Sequence, residues 1–240
     1  MDSPAYATFT LAGQLGPFSP EDANLYREES GDRNPIHYGD EWFEKNKDFS
    51  QATGITKPIV PGFLYLENAV RQLDDFLRNT VCVRTVLSSC VATFKRPLYF
   101  GEELHCGADM DIRRPEAHVL CELTASIEGG ISIFELDAKF NITRDTPGEI
   151  SCPISYSSKL AAGIVERLGE GVLLYRLEAD FPVRASWREL LKNQVSFEFV
   201  SSRKIRQNEL GCIHEIECRG MLGDKLIALY RVLGFTVYKV

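Results

Sequence analysis

The sequence has no apolar run of the roughly 18–20 residues that a membrane-spanning helix needs. It does not begin with a cationic stretch followed by an apolar one, which is the pattern of a secretion signal. Seven cysteines are present, but they are odd in number, scattered, and never in a C-x-x-C pair. These absences predict a reduced, cytoplasmic protein without a membrane association, disulfide or zinc knuckle.

Basic charge is also scarce. The chain carries 27 Lys and Arg against 34 Asp and Glu, for a net charge of −7, so no nucleic-acid partner is expected. No dinucleotide-binding or Walker glycine loop and no G-x-S-x-G motif occurs. With 240 residues, 44% of them hydrophobic, the chain can bury a sizeable core as one large domain or two small ones.

The first half has the pattern of an α+β unit. A strand is predicted at 6–13, and Ser19-Pro20 with Asp22 starts a helix that ends at Gly31. Residues 30–60 are polar and have loop chemistry. From Phe63, apolar residues recur every three or four positions, which predicts a helix buried along one face. Strands are predicted next, at 86–96, 102–113, 117–128 and 131–143.

The second half repeats this order. A helix is predicted at 158–168, and four strands follow near 171–182, 193–205, 210–219 and 225–239. The repetition predicts a duplicated unit, with domains at 1–145 and 146–240 and a turn-rich boundary near 145–156. Only the first half has the polar loop before its helix, so one functional site is expected there.

The segment SGDRNPIH holds the densest cluster of reactive side chains. Asp32 and His37 flank a proline-stiffened turn that can aim both at one point. A carboxylate beside an imidazole can hold one water molecule and exchange its proton, because histidine titrates near neutrality. The alternative is structural: Asp32 caps the next turn and His37 bonds a loop carbonyl.

SGDRNPIH resembles the signature of the MaoC-like (R)-specific enoyl-thioester hydratases, which have the hotdog fold. FSPEDANLYREESGD, ITKPIVPGFL and VATFKRPLYFGEEL resemble, in the same order, the helix before that motif, the loop entering the central helix, and the strand and turn after it. The match covers residues 6 to about 143. It implies a hotdog unit in the first half. Residues 146–240 match only in strand rhythm, and together with the repeated order of elements this predicts an α+β fold of two tandem hotdog units, a double hotdog.

The resemblance also implies roles for individual residues. Asp32 and His37 become the catalytic pair that activates water against an enoyl thioester, and Asn34 orders the loop or its water. The N–H groups of Gly62 and Phe63 would receive the charge that develops on the thioester oxygen, because a helix N-terminus offers unpaired donors. A helix-entry glycine without a ligand is the alternative for Gly62.

The helix differs from the family pattern at one position. Pro61 stands where the family commonly has a histidine. PGFLYLENAVRQ is instead similar to the helix of the β-hydroxyacyl-ACP dehydratases, whose glutamate is catalytic, and Glu67 occupies that position. Residues 52–60 lack the histidine which that family takes from its upstream loop. Glu67 is therefore a secondary candidate, and otherwise a surface glutamate paired with Arg71 at i, i+4.

The implied function is hydration of trans-2-enoyl thioesters or dehydration of (R)-3-hydroxyacyl thioesters, carried on CoA or acyl carrier protein, without a metal or other cofactor. Among the basic residues, Arg96 is the best candidate to meet a carrier phosphate or an acidic carrier surface, since its strand end would lie near the mouth of the site. The alternatives are a hotdog acyl-thioesterase and a non-catalytic acyl-binding subunit. A fused pair of units would supply the usual dimer within one chain, and a homodimer of such chains is also open.

Overall fold

The computed structural model describes residues 6–113, 115–143, 159–182 and 195–238. Across these ranges the strands are β1 (Tyr6–Leu15), β2 (Thr85–Phe94), β3 (Leu104–Arg113), β4 (His118–Ile127), β5 (Ile131–Ile142), β6 (Leu173–Asp180), β7 (Val195–Gln207), β8 (Gly211–Leu222) and β9 (Lys225–Val237). The helices are α1 (Pro20–Ser30), α2 (Glu41–Lys45), α3 (Lys47–Thr53), α4 (Gly62–Asn79) and α5 (Leu160–Leu168), with a 3-10 turn at Pro35–His37. No helix in the described part of the chain is long and apolar enough to cross a membrane.

The strands form one antiparallel sheet in the order β1-β3-β4-β5-β2-β6-β9-β8-β7. The strands that follow α4 and α5, β2 and β6, pair side by side in its middle, with Cys90 opposite Ala179. On one side of this pair β5, β4 and β3 follow, and on the other β9, β8 and β7 follow in the corresponding order. The path of the chain is therefore repeated, as the sequence predicted. The predicted boundary at 145–156 lies outside the described residues, and the division into two domains stays a prediction.

The helix α4 has the buried face that its apolar spacing predicted. Leu66, Val70, Leu73 and Leu77 are fully buried against the sheet. In the second half, α5 buries a shorter face, and the apolar residues of both halves join in one continuous core. This shared core holds the two halves together and places the tip of α4 near β6.

The helix α1 ends directly before Asp32 and so places the 30–37 segment next to the core. The Ser19 hydroxyl accepts a hydrogen bond from the N–H of Asp22, and the Asp22 carboxylate accepts one from the N–H of Ser19, at 3.2 and 2.8 Å. The helix ends at Gly31, whose φ of +73° is in the left-handed region and whose N–H donates to Arg27 O. Asp32 follows directly and turns inward.

The prediction of a loop over 30–60 was wrong in part, because this segment contains the 3-10 turn, α2 and α3. Their aromatic and aliphatic residues form a second small core: Ile36, Phe43, Phe49, Ile55 and Ile59, with Trp42 packed against it. Helices of five and seven residues are too short to show a helical period. Tertiary packing of the aromatic side chains stabilises them instead.

The six described cysteines are not in disulfides. Five of them are buried, as expected for small apolar side chains within strands. Cys152 lies outside the described residues.

Candidate active site

A cavity of about 350 Å³ lies where the two halves meet, within the size range of small-molecule sites. Its polar wall comes from the 30–37 loop and its apolar walls come from α4, α5 and β6. The lining residues used below are Asp32, Asn34, Ile36, His37, Ile59, Pro61, Gly62, Phe63, Phe94, Lys95, Arg96, Val165, Val172, Leu173, Leu174, Tyr175, Ile213 and Phe235. Seven of the eight site residues predicted from the sequence are among them.

Asp32 and His37 face each other inside this cavity. They are only 3% and 8% exposed, and the Asp32 Oδ2–His37 Nε2 distance is 3.9 Å. This distance is too long for a direct hydrogen bond, but one water molecule at about 2.8 Å from each atom can bond both. Asp32 Oδ1 accepts a hydrogen bond from the N–H of Asn34 at 2.9 Å, which fixes the carboxylate with Oδ2 toward the histidine.

The hydrogen bonds of His37 determine which ring nitrogen can act as a base. Nδ1 lies 2.9 Å from the carbonyl oxygen of Ile59, and because a carbonyl only accepts, Nδ1 carries the proton. Nε2 then presents its lone pair toward Asp32. Burial lowers the pKa of His37 from 6.5, and Asp32 and the Ile59 bond oppose this change. The ring is therefore neutral at pH 7, as a general base requires.

The tip of α4 supplies backbone donors on the same cavity. The helix begins at Gly62, and no side chain of the described chain caps it. The N–H of Leu64 bonds Pro61 O, so the N–H groups of Gly62 and Phe63 are the ones without an intrahelical partner. A Cβ on Gly62 would lie 3.1 Å from the Phe94 ring and 3.3 Å from Leu174, so any side chain here would crowd two residues of the cavity wall.

Two hydrogen bonds link the 30–37 loop to this helix tip. The N–H of Ile59 donates to Ile36 O at 3.0 Å, and its carbonyl accepts from His37 Nδ1. Ile59 precedes Gly62 by three residues, so the base and the backbone donors are held by one short segment. The structure therefore brings the motif and the helix tip together, as the resemblance implied.

Arg96 and Lys95 line the rim of the cavity, where both are exposed. Lys95 forms an ion pair with Glu135 at 2.9 Å. The exposed Tyr175 also lines the cavity. Arg96 is therefore both exposed to solvent and part of the cavity lining, as its predicted role requires.

Glu67 is placed differently from the sequence-based proposal. It does not line the cavity, and its carboxylate forms a short hydrogen bond with Arg71 one turn later. Burial raises the pKa of Glu67, Arg71 opposes this, and Glu29 of α1 adds to it. Five residues after Gly62, the helix has turned this side chain toward α1 and away from the cavity. The pair with Arg71 that the alternative predicted is present, but the Glu67 carboxylate is partly buried rather than on the surface.

Sequence reasoning missed the wall contributed by the second half. Leu173, Phe235 and Ile213 lie opposite one another on β6, β9 and β8, and all three line the cavity. Nothing in the local sequence marks them, because strand alternation shows which face a residue occupies but not which strand lies beside it. The repeated strand rhythm was the one signal that could have placed β6 beside β2.

The remaining histidines and basic pairs lie elsewhere. His214 bonds Thr236, and His118 lies near Glu116. No group of three potential metal ligands occurs in the described ranges. The sequence also has a basic run on β7, Arg203-Lys204-Ile205-Arg206, and in it Arg203 forms an ion pair with Glu215.

No family model matches the sequence, and no curated protein matches it. Its structure is similar to solved structures along almost the whole chain. A MaoC-like dehydratase superposes with a TM-score of 0.65 at 10% identity, covering 98% of both chains. HtdX of Mycobacterium tuberculosis has a TM-score of 0.57 at 12% identity, covering 94% of this chain and 99% of HtdX. An acyl-ACP thioesterase from Bacteroides thetaiotaomicron has a TM-score of 0.54 at 7% identity, covering 96% and 98%.

These likenesses establish the class of fold. The chain has a hotdog fold and shares it with a MaoC-like dehydratase. The resemblance that residues 6–143 show to the MaoC-like family is thereby confirmed at the level of the fold. Because a shared fold can host several chemistries, the reaction is argued from the site itself.

Proposed function

We propose that the protein reversibly hydrates trans-2-enoyl thioesters to (R)-3-hydroxyacyl thioesters. The observation that carries this proposal is the 3.9 Å separation of Asp32 Oδ2 and His37 Nε2 inside a largely apolar cavity. A buried acid and a neutral imidazole at this distance suit the activation of one water molecule.

In the hydration direction, Asp32 and His37 Nε2 orient a water molecule toward C3 of the enoyl group. As the water oxygen bonds to C3, Nε2 takes one of its protons, and the π electrons move toward the thioester carbonyl. The imidazolium then returns this proton to C2, so that water has been added across the double bond. The Asp32 carboxylate stabilises the imidazolium while it exists, and dehydration follows the same steps in reverse.

The thioester oxygen becomes negative during this reaction. The N–H groups of Gly62 and Phe63 are suited to receive that charge, because they have no partner within the helix and lie at its positive end. Gly62 allows the carbonyl to approach the main chain. The acyl chain would occupy the apolar part of the cavity, and Arg96 at the rim would meet the phosphate of CoA or of a carrier-protein arm.

We further propose that the chain is a double hotdog, with units at 1–145 and 146–240. The strand order β2-β5-β4-β3 in one half corresponds to β6-β9-β8-β7 in the other, and α4 and α5 precede the equivalent strands. Pairing of β2 with β6 gives the intramolecular counterpart of a dimer of single units. The catalytic motif occurs in the first unit alone.

A direct assay follows the absorbance of the enoyl-thioester band with short- and medium-chain enoyl-CoA. We expect wild type to consume the enoyl-CoA and Asp32→Asn to be strongly impaired. Identification of the product as the (R)-3-hydroxyacyl-CoA completes the test. Equal rates for the two proteins would contradict the assigned roles.

A thioesterase is the second candidate, because an acyl-ACP thioesterase shares the overall fold. It predicts release of free thiol from a saturated acyl-CoA, which a thiol reagent detects and which hydration does not produce. A non-catalytic acyl-binding subunit instead predicts acyl-CoA binding without turnover, unchanged in His37→Ala. The facing Asp32 and His37 favour the hydratase over both.

A further inference from the structure

Asn34 connects the two halves of the chain at the active site. Its side chain is buried, at 3% exposed. Nδ2 donates to the carbonyl oxygen of Val172 at 2.8 Å, and Oδ1 accepts from the N–H of Gly171 at 3.0 Å. The amide therefore pairs with the main chain just before β6, 137 and 138 residues further along.

The backbone of the same residue contacts both members of the acid–imidazole pair. The N–H of Asn34 donates to Asp32 Oδ1 at 2.9 Å, and its carbonyl accepts from the N–H of His37 at 3.2 Å. A displacement of Asn34 would therefore move the carboxylate and the imidazole together.

The segment that bonds Asn34, residues 170–172, packs closely against the first half of the chain. Gly171 has a φ of +78°, and a Cβ there would lie 2.7 and 2.9 Å from the Trp42 ring. The neighbouring Glu170 accepts a hydrogen bond from Trp42 Nε1 at 3.3 Å. Both the positive φ and the close contact with Trp42 require glycine at position 171. Only with glycine there can this segment reach Asn34.

We propose that residues Gly171 and Val172 of the second half position the catalytic pair, with Asn34 as the connecting residue. The effect on catalysis rests on the proposed function, whereas the positioning of Asp32 and His37 by the second half does not. Asn34 and Gly171 are positioning residues, since they act through Asp32 and His37. The second half, which lacks the motif, thus completes the site that the first half carries.

The experiment compares Asn34→Ala and Gly171→Ala with Gly129→Ala in the full-length protein. Gly129 has a φ of +84° and no neighbour within 4 Å of a Cβ, so its substitution imposes the same kind of backbone strain without the Trp42 contact. The primary measurement is the titration of His37 by NMR, with His37→Gln used to assign its signals among the four histidines. This measurement does not depend on any activity.

Loss of the Asn34 connection should admit water around His37 and weaken the burial that depresses its pKa. We expect the midpoint to rise toward 6.5 in Asn34→Ala and Gly171→Ala and to stay unchanged in Gly129→Ala. The titratable groups beside His37 are Asp32 and Tyr38, whose ring packs edge-on to the imidazole. Neither variant changes these two residues. Wild-type midpoints in both variants would overturn the proposal.

The kinetic measurement separates this proposal from the proposed function. If wild type hydrates enoyl-CoA, Asn34→Ala should lower kcat by about 100-fold with a smaller change in KM, as expected for misplaced catalytic groups. If wild type has no such activity, the proposed function fails, while the His37 titration still decides the positioning. Thermal denaturation of each variant against Gly129→Ala shows whether a lost signal reflects unfolding. If Asn34→Ala does not fold, Gly171→Ala alone is decisive, and a folded variant with wild-type titration overturns the proposal.

Discussion

The substitution Asp32→Asn tests the central electrostatic interaction without changing side-chain shape. The amide oxygen can keep the 2.9 Å hydrogen bond from the N–H of Asn34, so the loop should retain its conformation. The negative charge 3.9 Å from His37 Nε2 is lost. At an effective dielectric constant of about 20, that charge stabilises an imidazolium by about 4 kcal/mol. This corresponds to about a thousandfold reduction in the rate of a step that passes through the imidazolium.

We therefore expect kcat for enoyl-CoA hydration to fall about a thousandfold in Asp32→Asn, with the thermal transition nearly unchanged. The control is Asp40→Asn, an exposed aspartate just after the motif whose side chain caps nothing at the start of α2. His37→Gln should be similarly impaired, and the double variant should be little worse, because the two residues act on one water. Fully additive losses, or an Asp32→Asn rate close to wild type, would refute this reasoning.

Three further predictions concern pH, chain length and stability. Because burial lowers the pKa of His37 from 6.5, the neutral base persists below pH 6.5, and kcat/KM should decline only as the pH falls through that lower value; a decline already centred above 6.5 would contradict this. Val165→Phe enlarges a side chain that lines the cavity, so the ratio of kcat/KM for medium-chain to that for short-chain enoyl-CoA should fall about tenfold. Glu166→Ala, on the exposed face of α5, is the control and should leave this ratio unchanged. Asp74→Ala leaves the buried Thr85 hydroxyl without its carboxylate partner and should lower the free energy of unfolding in urea by about 2 kcal/mol, compared with no change for the exposed Asp75→Ala.

Local patterns were sufficient for much of the fold and for the centre of the site. The capping residues of α1, the apolar spacing of α4 and the alternation of the strands each reflect contacts within one element, so they can be read from neighbouring residues. Asp32 and His37 are five residues apart across Pro35, and their convergence is likewise a local property. Asp32, Asn34, His37, Gly62 and Arg96 all line the cavity, but Gly62 and Arg96 were expected there from the fold that the family resemblance implied and not from a local pattern.

Glu67 shows where a local pattern was insufficient. Its position in a motif-like helix indicated a catalytic role, but the rotation of α4 against the sheet decided which side chains face the cavity. The short helices α2 and α3 escaped prediction for a related reason, since they are stabilised by a small core that includes residues far along the chain, Leu173 and Val237 among them.

The amino-acid sequence by itself determined the strands, the longer helices, the acid–imidazole turn and the helix tip, because each depends on residues close together along the chain. Only the tertiary structure decided that β6 lies beside β2, that Gly171 and Val172 meet Asn34, and that Phe235 forms a wall of the cavity. These contacts join residues far apart along the chain, such as Cys90 with Ala179 and Asn34 with Gly171. The strand pairing and the cavity wall depend on packing and main-chain hydrogen bonds, which any apolar residue or peptide group can supply, so they leave no distinctive residues in the sequence. The third contact does depend on particular residues, Asn34 and Gly171, but nothing in the sequence around either one shows that the two meet.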